Sequence, residues 1–220
     1  MTYQFLLVAH IAVLGYWLGS ELVINSSYRY VCYSDRMPVA ERLRLMSHIM
    51  VVDQHVRYAL VLQVILGTML AAHLHMLPGG RSLSIAAAVV GVLWLAFIEA
   101  VHRLSASPVG PTLAAVDRGS RYFLIIIALA LGFGIGGDNW SSPAWLRWKL
   151  LLFSGVVLCG VGIRLVLIRQ FRTWAVMERE GSSPETNAAI RRTYVQATAI
   201  LVLLWAFIGA ITVISIGKPA

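Results

Sequence analysis

Among the ionisable side chains that stand inside or against long apolar stretches of this sequence are His10, Glu21, His55, Glu99 and His102. Such placements cost free energy in a membrane helix and mark sites with work to do. On the first stretch His10, Trp17 and Glu21 follow one another at offsets of 7 and 4, so they share one helical face with Leu14 between them. On the second, His48 and His55 are seven apart on one face, with Asp53 and Arg57 as neighbours. His73 and His75 are two apart and cannot share a face. On the third, Glu99 and His102 are i and i+3. Glu-x-x-His on a bundle helix is how ferritin-like proteins hold paired metals, and here it occurs once. An imidazole facing the inside of a bundle can ligate haem iron or a metal. The alternative for each is a salt-bridged polar cluster that holds helices together.

The elements that position these groups are six apolar runs: 3–25, 50–76, 83–103, 121–137, 144–168 and 194–216. Crossing the hydrocarbon takes about 20 residues, and the fourth run is the shortest. Hydrophobic residues are 59% and charged residues 13%, with a mean hydropathy of +0.76. The expected fold class is therefore all-α: a polytopic membrane protein, one six-transmembrane-helix domain over 1–220. The first run has no basic region before it and holds His10 and Glu21, so it does not read as a cleavable signal.

The basic residues orient the bundle. Of 18 Lys and Arg, twelve fall in 26–47, 103–121 and 169–192. The alternate connections hold only Arg81, with Arg147 and Lys149 at the mouth of the fifth run and Lys218 in the tail. By the positive-inside rule the three rich segments are cytoplasmic and both termini extracytoplasmic, as in a bacterial inner membrane protein. The net charge of +8 then belongs to loops facing anionic lipid headgroups, and no nucleic-acid partner is implied. Gly181 to Pro184, Pro78 to Gly80 and Ser107 to Pro111 read as turns. Segment 26–49 reads as a connection in which Arg42, Leu43, Arg44 and Leu45 allow an amphipathic helix. Cys32 and Cys159 form no CxxC and read as unpaired thiols. Trp140, Trp145 and Trp148 at one face, and Trp174, Tyr122 and Tyr194 at the other, read as interfacial anchors.

Two polar layers follow. An inner layer gathers Glu21, His55, Arg57, Glu99 and His102, with Asp53 nearby. An outer layer gathers His10, one of His73 or His75, and Lys149. Histidines on different helices in two layers would hold one haem or two. A metal set would draw on His10, His55, Glu99 and His102.

Three pieces of the chain carry a resemblance. They are His10-Ile11 with Trp17-Leu18-Gly19 in the first run, Trp145-Leu146-Arg147-Trp148-Lys149-Leu150 opening the fifth, and Gly217-Lys218-Pro219 at the close. Together they resemble the HemJ-type protoporphyrinogen oxidases and related CopD-like membrane proteins over about half of the chain. That family uses haem b, with a His near the start of span one and a Lys at the start of a later span; these fall on His10 and Lys149. The family's arginine late in span one falls on Ser26, with Arg29 three residues on. The family has four spans, and this chain inserts about 78–138.

The resemblance implies a membrane haem b oxidoreductase acting on a quinone or a porphyrin-like substrate. Its cofactor candidates are His10, Trp17, His55 and His102, and its catalytic candidates Lys149 and Arg29. The alternatives are a CopD-like copper or cation transporter, and a non-catalytic subunit docking against other membrane subunits. Seven methionines without an MxxM ladder disfavour copper(I) transport.

Overall fold

The computed structural model describes residues 3–135 and 143–217. Six α-helices account for nearly all of it: α1 Tyr3–Tyr33, α2 Val39–His73, α3 Gly80–Arg103, α4 Gly110–Gly132, α5 Ala144–Glu180 and α6 Pro184–Gly217. No strand occurs among the described residues. Five of the helices, all but α4, are long and apolar enough to cross a membrane. The chain is an integral membrane protein with an all-α bundle fold. Its residues before Tyr3, at 136–142 and after Gly217, including the expected anchor Trp140 and Lys218, lie outside the described residues.

Four helices, α1, α2, α5 and α6, are far longer than a bilayer needs, at 31, 35, 37 and 34 residues. At about 1.5 Å per residue, the 37 residues of α5 reach about 55 Å. The connections expected at 26–49 and 169–193 shrink to 34–38 and 181–183, because helix continues through the arginine-rich segments from both sides. The stop signals explain where it ends. Pro38 precedes the first turn of α2, and Gly181 closes α5 at φ +85°, a conformation that favours glycine. Pro184 opens α6 with its fixed φ. Ser183 and Thr186 then cap α6 reciprocally: the Thr186 N–H donates to Ser183 Oγ at 3.2 Å and the Ser183 N–H to Thr186 Oγ1 at 3.0 Å.

The fourth run also differs from expectation. Helix α4 starts at Gly110 rather than 121 and ends at Gly132 rather than 137. Its first half carries Asp117, Arg118 and Arg121, and the buried Asp117 pairs with Arg121 one turn on at 2.9 Å.

The helices form two rows of three. In one, α1 packs on α2 and α2 on α3; in the other, α4 packs on α5 and α5 on α6. The rows face each other through α1 with α6, α2 with α5 and α3 with α4, and more sparsely than helices within a row. Chain order makes neighbours antiparallel, so connections 34–38, 104–109 and 181–183 lie at one end with nearly all the arginines. Two hydrophobic cores join the rows. One, at the arginine-rich end, centres on Cys32, Met46, Met177 and Ile190. The other, in mid-bundle, centres on Trp17, Ala59, Val156 and Leu204.

Candidate functional site

The gap between the rows holds a cavity of about 140 Å³ next to the mid-bundle core. Helices α1, α2, α5 and α6 wall it with aliphatic side chains, and a cluster of charge borders it: Glu21, Asp53, Arg57, Arg121 and Arg164. Glu21 is buried, at 6% exposure. Each of its carboxylate oxygens receives an indole N–H, from Trp17 at 2.7 Å and from Trp205 at 2.8 Å. Both oxygens of this buried carboxyl group therefore act as hydrogen-bond acceptors. Asp53 stands between two guanidiniums, Arg57 at 3.6 Å on its own helix and Arg164 at 3.9 Å on α5. Asn25 and Thr198 complete the polar rim and hydrogen-bond each other at 3.0 Å.

The other end of the bundle holds His10. Its ring packs against α2, where a side-chain carbon at Gly67 would lie 3.4 Å from His10 Cε1. Nδ1 of His10 is buried and has no hydrogen-bond partner among the described residues. Lys149, half-buried on the second turn of α5, lies within electrostatic reach of it. His73 is exposed and stacks with Tyr3, ring centroids 6.3 Å apart. His75 is exposed in the turn after α2 at φ +55°.

His55 and His102 do not join Glu21. The expected inner layer divides into two because α2 presents different faces to α5 and to α3. Asp53 and Arg57 turn to the cavity; His55 is exposed on another face, where its Nδ1 meets Tyr16 Oη at 2.5 Å. Tyr58 packs edge-on against His55 and donates its hydroxyl to Glu99. Glu99 takes Arg103 as its cation, at 2.5 Å, and not Arg57. His102 is exposed on the last turn of α3. The result is a file of polar groups running Tyr16, His55, Tyr58, Glu99, Arg103 across the outside of α1, α2 and α3.

These positions separate the ligand candidates. His55 lies twelve residues from Gly67, where His10 packs, about 18 Å along α2, so His10 and His55 cannot ligate one metal ion. Among the described residues no three His, Cys, Asp or Glu side chains come together as His10, His55, Glu99 and His102 were expected to do. Arg29 is exposed near the arginine-rich end, nineteen residues and about 28 Å along α1 from His10, so it shares no site with Lys149. Trp17 is buried at 5% and its indole serves Glu21.

Comparison with protein-family models, with curated proteins and with solved structures finds no match. The functional reading therefore stands on the geometry and on the short motifs of the chain.

Two arginines essential to that geometry escape sequence reasoning. Arg164 lies inside an apolar run, and its partner Asp53 is on a distant helix; the unbalanced cation in that run was the available signal. Arg42 reads as a surface residue of an interfacial helix, yet it is wholly buried at 0% exposure. It donates to Val31 O at 3.1 Å and to Asn187 Oδ1 at 2.8 Å, and its guanidinium lies 5.0 Å from the centre of the Trp174 ring. Trp174 and Tyr194 are accordingly core residues, not anchors, at 3% and 7% exposure. Trp148 and Tyr122 are exposed, as anchors should be.

Proposed function

We propose that this protein is a haem b-binding membrane oxidoreductase, with His10 as an axial ligand and Lys149 as the cation that meets a carboxylate of the porphyrin or of a porphyrin-like substrate. The observation that carries this reading is the buried, unpartnered Nδ1 of His10 with Lys149 in electrostatic reach. A buried ring nitrogen without a partner is costly, and binding a ligand there removes the cost. The resemblance of the first and fifth helices to HemJ-type proteins supports the same pair of residues.

When bound, haem supplies one-electron redox chemistry. The residues of this chain hold and orient it. His10 is fixed by its helix against α2, where Gly67 leaves the ring edge free of a side chain. Lys149 provides a compact, mobile charge rather than the rigid fork of an arginine. The arginine-rich end faces the cytoplasm of a bacterial inner membrane, so His10 and Lys149 serve the outer half.

The test is the absorption spectrum of the purified full-length protein. A reducible Soret and α band, lost in His10→Ala and kept in Lys149→Ala, is the expected result. Absence of any haem band in the parent, or a parent-like spectrum in His10→Ala, removes the assignment.

A further inference from the structure

The proposed haem site leaves the cavity at the other end of the bundle without a role, and the charges around that cavity are unevenly partnered. Arg121 is matched by Asp117 at 2.9 Å. Glu21 is engaged by two indoles and pairs with no cation among the described residues. Asp53 is then left to serve two cations, and it reaches both loosely, at 3.6 Å and 3.9 Å. Neither the Arg57 nor the Arg164 guanidinium makes a hydrogen bond to any described residue. Each guanidinium carries five N–H donors in a rigid fork that matches a carboxylate. The two side chains are 16% and 38% exposed, and both line the cavity, where an acceptor can reach their open donors.

We propose that this cavity binds a small amphipathic monocarboxylate. Arg57 from α2 and Arg164 from α5 receive its carboxylate, and Val56, Leu60, Val156 and Leu204 receive its apolar body. The size agrees. A water takes up about 10–15 Å³ of such space, so about 140 Å³ suits a ligand of roughly ten non-hydrogen atoms, about the size of benzoate. The chemistry of the wall selects further. Inorganic phosphate offers nothing to the aliphatic side. A dicarboxylate brings a second negative charge to a cavity that the ion-paired carboxylate of Asp53 already borders.

Sodium benzoate, titrated into the full-length protein in detergent at constant ionic strength, tests the site. Tryptophan fluorescence reports it through Trp17, and thermal unfolding gives a second readout. The expected result is a saturable response to benzoate, with phthalate and inorganic phosphate binding more weakly. Arg57→Gln and Arg164→Gln should each weaken benzoate by about tenfold or more, the loss that follows removal of a charge-assisted hydrogen bond. A parent that shows no saturable response overturns the proposal, as does equal affinity in the parent and both variants. Should either variant fail to fold, the preference of the parent decides: equal affinity for benzoate, phthalate and phosphate overturns it. Haem content should be the same in parent and Arg164→Gln, so failure here and failure of the haem reading are separate results.

Discussion

Trp205 on α6 donates its indole N–H to Glu21 on α1 at 2.8 Å, and this bond ties the two helices that close the seam between the rows. The carboxylate is buried and its other oxygen is held by Trp17 at 2.7 Å. Replacing Trp205 with Phe keeps most of the ring and deletes the donor. Leaving a buried hydrogen-bond acceptor without its donor costs about 1–3 kcal/mol, so Trp205→Phe should destabilise by about that much. Thermal unfolding in a fixed detergent measures it. A variant as stable as the parent would mean that Glu21 has another donor.

The inward turn of Glu21 was legible because a carboxylate on lipid is costly and its helix offers Trp17 one turn away. The six helices were legible from hydropathy. The limits of the sequence lie in what a helix hides. Hydropathy marks where a helix is apolar, not where it ends, so the polar lengths around Arg42 and Arg172 read as loops although no Pro or Gly interrupts them. Periodicity tells which residues share a face but not which neighbour meets that face. His55 and Arg57 are two residues apart, and they part company because α5 packs on one side of α2 and α3 on the other. The Arg164–Asp53 pair depends wholly on that packing.

Arg42 gives the second prediction. Asn187 Oδ1 is its side-chain acceptor, at 2.8 Å, inside a core where Arg42 has no exposure. Asn187→Ala leaves that N–H unmet, a loss of about 1–3 kcal/mol. The change lies at the opposite end of the bundle from His10, so stability should fall while haem content per folded molecule stays constant. An unchanged midpoint of unfolding would show that water replaces the Asn187 oxygen.

At Gly91 α3 packs tightly against Ile65 of α2. A side-chain carbon there would lie 2.1 Å from Ile65 Cδ1 and 2.6 Å from its Cγ1. Ile is stiff at χ1, so the helices must separate. Gly91→Ala should cost about 1–3 kcal/mol through overpacking, despite the better helix propensity of alanine. The double variant Gly91→Ala with Ile65→Val should recover part of it. No recovery would place the strain elsewhere.

Topology is tested without structure. With 34–38, 104–109 and 181–183 cytoplasmic, a reporter active only outside the cytoplasm should work when fused after Gly217 or within 74–79, and fail when inserted at 181–183. The motive is the concentration of twelve of 18 basic residues in segments 26–47, 103–121 and 169–192. Activity in the reverse pattern would invert the bundle and put His10 on the cytoplasmic side.

Gly67 separates a haem-ligating His10 from one that merely packs. A methyl at position 67 would meet His10 Cε1 at 3.4 Å, an ordinary contact, so Gly67→Ala should leave the ring in place. Alanine also suits a helix better than glycine, by about 0.8–1.0 kcal/mol, so the variant should be at least as stable as the parent. Gly67→Leu fills the space that the imidazole occupies and must push it off α2. If His10 holds iron, Gly67→Ala keeps the haem spectrum and Gly67→Leu loses or shifts it, while the fold survives because α1 and α2 meet along many other turns. If His10 only packs, both variants carry the parent spectrum and differ in stability alone. Absorption spectra and circular dichroism on the three proteins, prepared alike, distinguish the outcomes, and a parent-like Soret band in Gly67→Leu would sink the role of His10.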